Sequence, residues 1–284
     1  MDRLLEDVRF GIRSLSKAPR FATAAVLTLA LGIGANTAMF SVIHSVLLRS
    51  WPFRDSGRLV VVSQRQANGA ANLFSTPNFR NWKQQAGLLA QLGAHVSWEF
   101  NLNDAGTQPE RVAGGEVSYN WLPTLGVEPA LGRLFSPQED VAGAGNFVVL
   151  SSALWKGRYG ADPSIVGKPI QLDGAPYTVI GVMPAGFNGF TGKELLWTPL
   201  QLHSDSGVSS SPTLHWLSGC IRLPDGVSLV EARSELDSIA ARVHRENPSD
   251  DVGFGVYLQT LNDAFTGDVR PALLMLWAAS ALCC

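Results

Sequence analysis

FATAAVLTLALGIGANTAMFSVIHSVLL, residues 21–48, decides the fold because these 28 residues contain no Asp, Glu, Lys or Arg. An α-helix rises about 1.5 Å per residue, so about 20 apolar residues cross the roughly 30 Å hydrocarbon core of a bilayer. Twelve of the 28 positions are Leu, Ile, Val or Phe. Their summed insertion free energy is at most about −4 to −7 kcal/mol. The stretch therefore predicts a transmembrane helix at residues 21–48.

Two other interpretations of residues 21–48 stay open. A buried helix of a soluble protein is one, although such helices rarely lack charge over so many turns. A cleaved signal peptide is the other, because the apolar core of a signal peptide also follows a basic segment. However, the apolar core of a signal peptide spans only about 7–15 residues. The length of the uncharged run therefore favours the membrane.

Small residues follow one face of this predicted helix. Ala30, Gly34 and Ala38 lie four positions apart, and small side chains at this spacing let another transmembrane helix approach closely. Gly32 and Gly34 also match the start of a dinucleotide-binding G-x-G-x-x-G pattern, but Thr37 stands at the third glycine position. We therefore expect helix packing here and no nucleotide site.

The residues before the span predict an amphipathic helix at 1–20. Acidic residues come early in it and basic residues late, which suits the helix dipole and places the basic residues beside the membrane. We expect this helix to lie in the cytoplasmic membrane interface, with an ordinary solvated lead-in as the alternative. Its apolar face consists of Leu4, Leu5, Val8, Ile12 and Leu15.

The sequence gives only a weak signal for the orientation of the predicted span in the membrane, because similar numbers of basic residues flank it on both sides. Long segments translocate largely regardless of charge. The region 49–269 is long, so we expect the N-terminus in the cytoplasm and the main domain outside it.

Composition narrows the class of function. The net charge is −2 and the isoelectric point is about 6.2, which gives no support for nucleic-acid binding. The three cysteines show no disulfide or metal-site spacing.

The region 49–269 predicts an α+β fold, because strand and helix patterns alternate without a regular βαβ rhythm. Asp173-Gly174 predicts a hairpin turn, and Ser228 with Glu231 forms a capping box. Ser75 or Thr76 is the predicted cap of another helix, and Gly126 is predicted to end a short one. The polar segment 204–212 is a candidate boundary between subdomains. Strands are predicted at 58–63, around 98–102 and 111–117, and at 146–151, 168–172, 177–182 and 252–261, with helices opening at 75–77 and at 120–125, 153–159 and 229–247.

Residues 270–284 begin like a second membrane helix, with Pro271 in the first turn. The run is too short to span a bilayer. We interpret it as a truncated second transmembrane helix, with a short interfacial helix as the alternative.

The sequence contains no recognisable nucleotide-binding or catalytic motif. The segments 160–168 and 186–193 end in Gly-Lys, but their glycine spacing is wrong for a P-loop and neither lysine precedes Ser or Thr. The histidines form no H-E-x-x-H pattern, and there is no G-x-S-x-G nucleophile elbow. We expect no catalytic residue, no cofactor and no metal, and therefore no enzyme.

Four segments in order resemble the permeases of MacB-type (FtsX-like) ABC transporters. Residues 4–49 are similar to the cytoplasmic helix and first membrane span of that family, and 270–276 (RPALLML) to the start of its second span. Between them lie VSYNWL (117–122) with LGVEPALGRLFSPQED (125–140) and, as the strongest likeness, VVLSSALWKGRYGADPSIVGKPIQLDGAPYTVIGVMPAGF (148–187). The resemblance covers nearly all of the chain.

The resemblance implies a mechanical role in the bacterial inner membrane. A cytoplasmic ABC ATPase subunit would hydrolyse ATP, and membrane helices would relay its motion to an extracytoplasmic domain that drives export. The other implied partners are a second permease copy in a dimer, a periplasmic adaptor and the lipid membrane, but no nucleic acid. The domain would have a porter-like part at 59–132 and 213–261, and an inserted part at 133–212.

The sequence departs from the family pattern after residue 284, since the later membrane helices and their coupling loop are not in it. We therefore expect this chain to be a fragment, one end of a larger permease, and this product alone not to transport. Two alternatives remain: a membrane-anchored periplasmic binding or scaffold module without ATPase coupling, and a membrane-tethered enzyme with clustered Asp, Glu or His in 59–261.

Overall fold

The computed structural model describes residues 18–47, 53–66, 69–85, 87–104, 108–202, 211, 214–246, 255–267 and 275. The chain divides into two compact units, residues 1–50 with 265–284 and residues 51–264. Each unit is described by itself. The predicted interfacial helix, with Leu4, Leu5, Val8, Ile12 and Leu15, lies outside the described residues, as do most of the segments 204–212 and 270–284.

Helix α1, Pro19–Leu47, is the structured element of the first unit. It begins two residues before the predicted span, because proline suits the first position of a helix, where its missing N–H is not needed. The hydroxyls of Thr23, Thr28 and Thr37 donate to the carbonyl four residues earlier at 2.8–2.9 Å. These polar groups are thereby satisfied within the helix itself. Among the described residues, α1 is the one helix long and apolar enough to cross a membrane.

The second unit contains a mixed sheet with short helices, so the predicted α+β class is confirmed. Its helices are α2 (Thr76–Lys83), α3 (Trp121–Leu125), α4 (Ser152–Tyr159) and α5 (Leu229–Glu246), and α6 (Leu261–Thr266) begins in its last residues. Its strands are β1 (Leu59–Arg65), β2 (Ala71–Asn72), β3 (Gly93–Leu102), β4 (Glu110–Val117), β5 (Leu131–Gly132), β6 (Phe147–Leu150), β7 (Pro169–Leu172), β8 (Ala175–Val182), β9 (Leu196–Pro199), β10 (Ser218–Arg222) and β11 (Val256–Thr260).

All eleven described strands belong to one sheet, with the order β11-β1-β10-β3-β4-β9-β6-β8-β5. Strand β2 pairs with β1, and β7 pairs with β3 and β8. Most pairs are antiparallel, but β4 and β9 are parallel, as are β6 and β8. The last strands of the chain, β10 and β11, therefore flank the first strand, and the middle of the chain forms the other end of the sheet.

The helix ends follow the sequence signals. Ser75 accepts a hydrogen bond from the Asn78 N–H at the start of α2, and the Ser228 Oγ accepts one from the Glu231 N–H at the start of α5. Each satisfies a backbone donor that the first helical turn leaves unpaired. Gly126 takes a left-handed conformation, φ 71°, after α3. The predicted caps and the predicted stop at Gly126 are confirmed.

The predicted hairpin at Asp173-Gly174 is also confirmed. Both residues have positive φ, 49° and 80°, and Leu172 pairs with Ala175 across the turn. Positive φ at both central positions is typical of a type I′ turn, whose twist matches that of the flanking strands.

Three clusters of buried apolar side chains form the core. The first packs α2 and α5 against β1, β3, β10 and β11. The third packs α4 against β6, β7, β8 and the far ends of β3 and β4. The second includes Trp121, Trp197 and Cys220, which are fully buried, and its β1 residues Leu59 and Val61 alternate with Val60 and Val62 of the first cluster. The division into parts 59–132 with 213–261 and 133–212 stays a prediction.

Candidate functional site

The predicted packing face of α1 is open within the described residues. Ala30, Gly34 and Ala38 are exposed, and a Cβ placed on Gly34 meets no atom within 4 Å. Large apolar side chains such as Phe21, Leu31 and Ile33 are exposed as well. In water this surface would be strongly unfavourable, whereas lipid or another apolar helix would cover it. The role of the small residues stays a prediction.

A buried acid–histidine pair lies at the centre of the second unit. The His95 Nε2 atom on β3 is 2.9 Å from the Glu194 Oε1 atom, just before β9. Only 2% of His95 and 1% of Glu194 are exposed. The indole N–H of Trp197 donates to the other Glu194 oxygen at 2.6 Å, and the Thr191 hydroxyl donates to Oε1 at 3.1 Å. Every oxygen of this buried carboxylate is therefore satisfied.

Glycines make room for this pair. A Cβ on Gly115 would stand 2.9 Å from the His95 Nε2 atom, and one on Gly189 would clash with the Glu194 carboxylate. The His95 ring stacks on Trp121, with centroids 5.0 Å apart. The space left by Gly115 and Gly189 and the stacking on the Trp121 ring together hold His95 and Glu194 in one arrangement.

Hydrogen bonding lowers the pKa of Glu194. Burial alone would raise this pKa, but the hydrogen bond and charge of His95, together with the bonds from Trp197 and Thr191, outweigh burial. A buried carboxylate is stable only when it is paired in this way. The pair fastens the segment before β9 to β3. Sequence reasoning missed it, since His95 and Glu194 are 99 positions apart.

A groove of about 430 Å³ opens on the surface above Glu194. Trp98, which is 51% exposed, stands opposite Gly114 in the β3–β4 pair. Arg111 forms an ion pair with Glu99 at 2.5 Å beside it. The groove thus offers an aromatic ring within a polar rim, a composition common at contact surfaces.

Lys83 is a half-buried cation at the end of α2. Its Nζ atom donates to the Asn120 side chain at 3.0 Å and lies 4.5 Å from the ring centroid of Tyr119. Burial lowers the pKa of Lys83, and the nearby charge of Asp140 only partly offsets this. The cation therefore ties α2 to the turn before α3 through a hydrogen bond and a cation–π contact.

Among the described residues, no group of three or more His, Cys, Asp or Glu side chains could hold a metal ion. The site residues predicted from the sequence lie in α1 and in the N-terminal segment. The structure adds three further features, which are the pair of His95 and Glu194, the groove beside Trp98, and Lys83.

The family model of the MacB-like periplasmic core domain matches residues 22–239. The chain belongs to this family. The match begins inside α1 and ends inside α5, so it includes the apolar helix and most of the second unit. The resemblance inferred from the sequence is thereby confirmed.

A solved structure agrees on the fold. The chain is similar to the periplasmic region of MacB from Actinobacillus actinomycetemcomitans, with a TM-score of 0.52, 14% identity and coverage of 76% of this chain and 94% of that one. It is also similar to the extracellular domain of the noncanonic ABC-type transporter YknZ from Gram-positive bacteria, with a TM-score of 0.49, 13% identity and coverage of 71% and 99%. No match was found among curated proteins.

Family membership identifies the kind of element that each part of the chain forms. The second unit is a MacB-like periplasmic domain of the ABC-type transporter permease family, and α1 is its candidate membrane anchor. The buried pair and Lys83 belong to the framework of that domain, because each connects elements that are distant in sequence.

Proposed function

We propose that this MacB-like chain is a permease subunit that relays the motion of a cytoplasmic ABC ATPase to its extracytoplasmic domain for export. The observation that carries this proposal is the continuous family match over residues 22–239, which includes most of the apolar helix and most of the folded domain. A helix of 29 residues is about 43 Å long, enough to cross the hydrocarbon core and enter both interfaces.

In this proposal the N-terminus is cytoplasmic and the domain lies outside the inner membrane. The amphipathic segment, with Leu4, Leu5, Val8, Ile12 and Leu15 on its apolar face, rests on the lipid surface. The face of Ala30, Gly34 and Ala38 receives the corresponding helix of a second permease copy. A periplasmic adaptor would contact the domain. The groove beside Trp98 is one exposed surface of suitable composition.

The relay requires a domain that moves as a stiff body. The sheet provides this, because its strands pair without interruption from β11 to β5. Packed cores transmit displacement rather than absorb it. The chain itself would hydrolyse no ATP, so all of the energy would come from the ATPase subunit.

Orientation is tested by labelling single cysteines in intact cells. The background carries Cys283→Ser and Cys284→Ser, and Cys220 stays unlabelled because it is buried. Val230→Cys, at a position that is 78% exposed on α5, should react with a membrane-impermeant maleimide from outside. Asp2→Cys should react only after the cells are permeabilised. The reverse pattern would contradict the proposed orientation.

Coupling is tested with a candidate ABC ATPase subunit and a complementing permease segment that supplies the later membrane helices, reconstituted with the chain in lipid nanodiscs. The maleimide labelling rate of Val230→Cys should differ severalfold between the ATP-trapped and nucleotide-free states. A matched variant of the ATPase that cannot bind ATP should remove the difference. Equal rates, together with correct orientation, would favour the anchored binding module over the mechanical permease.

A further inference from the structure

A cavity of about 470 Å³ opens where β4 and β9 pair in parallel. Its volume falls in the range of about 300–1,000 Å³ that is usual for small-molecule sites. Residues from three strands, β4, β8 and β9, and from the adjoining loops surround it. The polar and aromatic groups in its wall are Glu116, Asn146, Tyr177, Thr198, Gln201 and Trp216.

Glu116 provides the charge of this cavity. It lies on β4 opposite Thr198 on β9, and both residues line the cavity. Glu116 is half-buried, and within the described part of the chain its carboxylate has neither a hydrogen bond nor an ion pair. It differs in this from Glu194, whose oxygens are all satisfied.

Two other polar side chains of the wall, Gln201 and Trp216, have partners of their own. The Gln201 amide donates to the Glu139 and Gly145 carbonyls at 3.0 and 2.6 Å. The Trp216 indole N–H donates to the Thr76 hydroxyl at 3.2 Å. These donor groups are therefore already occupied.

The surroundings of Glu116 disfavour its negative charge. Burial raises its pKa, and the nearby Asp173 carboxylate raises it further. Burial, Glu116 and Asp173 also raise the pKa of Tyr177, so this phenol stays neutral. A cation in the cavity would offset the unfavourable effect of burial and of Asp173 on the ionised Glu116, since opposite charges a few ångströms apart favour the ionised carboxylate.

We propose that this cavity binds a small organic cation, with an ammonium group on the Glu116 carboxylate and an apolar body against the rings of Tyr177 and Trp216. Aromatic faces attract ammonium groups and pack on apolar ones. A divalent metal ion fits less well, because Ca²⁺ takes about 6–8 oxygen ligands and the cavity has one free carboxylate. The inference goes beyond the proposed permease function, and its test measures binding without transport.

The test uses the full chain in nanodiscs of zwitterionic phosphatidylcholine, with phenethylamine as the probe and the neutral 2-phenylethanol as its match. Binding is followed by titration calorimetry and by the indole ¹H–¹⁵N signal of Trp216, which is assigned with Trp216→Phe. Phenethylamine should shift the Trp216 signal in a saturable manner. It should bind at least about tenfold more tightly than 2-phenylethanol, since a hydrogen bond to a charged group contributes at least that much.

Glu116→Gln should weaken phenethylamine binding about tenfold or more and leave 2-phenylethanol unchanged. The control is Glu110→Gln, the same change on the same strand at a residue that pairs with Arg158 outside the cavity. This control should leave both affinities unchanged. Equal binding of the amine and the alcohol, or equal loss in both variants, would overturn the proposal.

A second measurement needs no variant, so it stands even if Glu116→Gln fails to fold. The side-chain ¹³C signal of Glu116 is titrated with and without saturating phenethylamine in the native chain. The amine should lower the pKa of Glu116, because the ammonium group favours the ionised carboxylate. An unchanged Glu116 titration at saturation would overturn the proposal.

Discussion

At the scale of single residues, the pair of His95 and Glu194 should contribute strongly to stability. His95→Ala leaves the Glu194 carboxylate buried without its imidazole partner, so the free energy of unfolding should fall by about 3–5 kcal/mol. Urea unfolding of the full chain in detergent, followed by circular dichroism, measures this loss. The control is His215→Ala, at a half-buried position whose Nε2 atom has no hydrogen-bond partner. A loss at His95 no larger than at His215 would contradict the assigned role.

A second prediction at this scale concerns pH. Arg133 donates to both oxygens of Glu139 at 2.6 and 2.7 Å. This contact, opposed by burial and supported by the Ser136 N–H and hydroxyl, lowers the pKa of Glu139 from 4.5 to about 2. Because the folded pKa is depressed, the stabilisation is present above pH 4.5 and is lost as the pH falls toward 2.

Glu139→Gln should therefore lower the free energy of unfolding by about 1–2 kcal/mol at pH 7. The difference between the native chain and this variant should shrink between pH 4.5 and about 2. Urea midpoints at several pH values measure it. Glu128→Gln, at an exposed position, is the control and should leave the urea midpoint at pH 7 unchanged. A constant difference for Glu139→Gln across this window would rule out the ion pair as its source.

At the scale of elements, α1 should associate through its small residues. Gly34→Leu fills the open space beside the helix and should weaken dimerisation about tenfold, since close packing is the main attraction between helices in lipid. Energy transfer between labelled chains in nanodiscs or liposomes measures the dissociation constant. Ile33→Leu changes a neighbouring face with little change of volume and should have no effect. If Gly34→Leu and Ile33→Leu associate equally well, the face of Ala30, Gly34 and Ala38 does not form the dimer contact.

Elements whose signals are local were predictable from the sequence. The Asp173-Gly174 turn, the Ser75 and Ser228 caps and the Gly126 stop each depend on a few neighbouring residues, and the structure has all of them. Strand β9 was missed, because it is four residues long, ends in Pro199 and gains its pairing from β4, about 80 residues earlier.

The buried pair was unpredictable for the same reason as β9. Nothing near His95 or Glu194 in the sequence indicates the partner, and the pairing exists only once β9 lies beside β4. The unpaired Glu116 likewise becomes evident only in the folded domain, where burial and the neighbouring strands define the cavity. The family resemblance could be inferred because it rests on contiguous segments, and it located the fold without locating these side chains.

At the scale of the whole molecule, the second unit should unfold as one body. The predicted porter-like and inserted parts share the sheet through the β4–β9 pair. They also share the second core cluster, which contains both Cys220 of β10 and Trp197 of β9. Disrupting either part would expose apolar surface of the other. Small domains with such a shared core usually unfold in a single transition.

Two buried thiols in one molecule test this cooperativity. Cys220 is fully buried, and burial raises the pKa of its thiol to about 12, so it should react with maleimide only when the unit unfolds. Val148→Cys places a second probe on β6, at a position that is also fully buried. In the background of Cys283→Ser and Cys284→Ser, mass spectrometry of the labelled peptides should give the same urea midpoint for both thiols. Earlier labelling of Val148→Cys would show that residues 133–212 unfold separately, and a mechanical relay through the sheet would then lack its stiff connection.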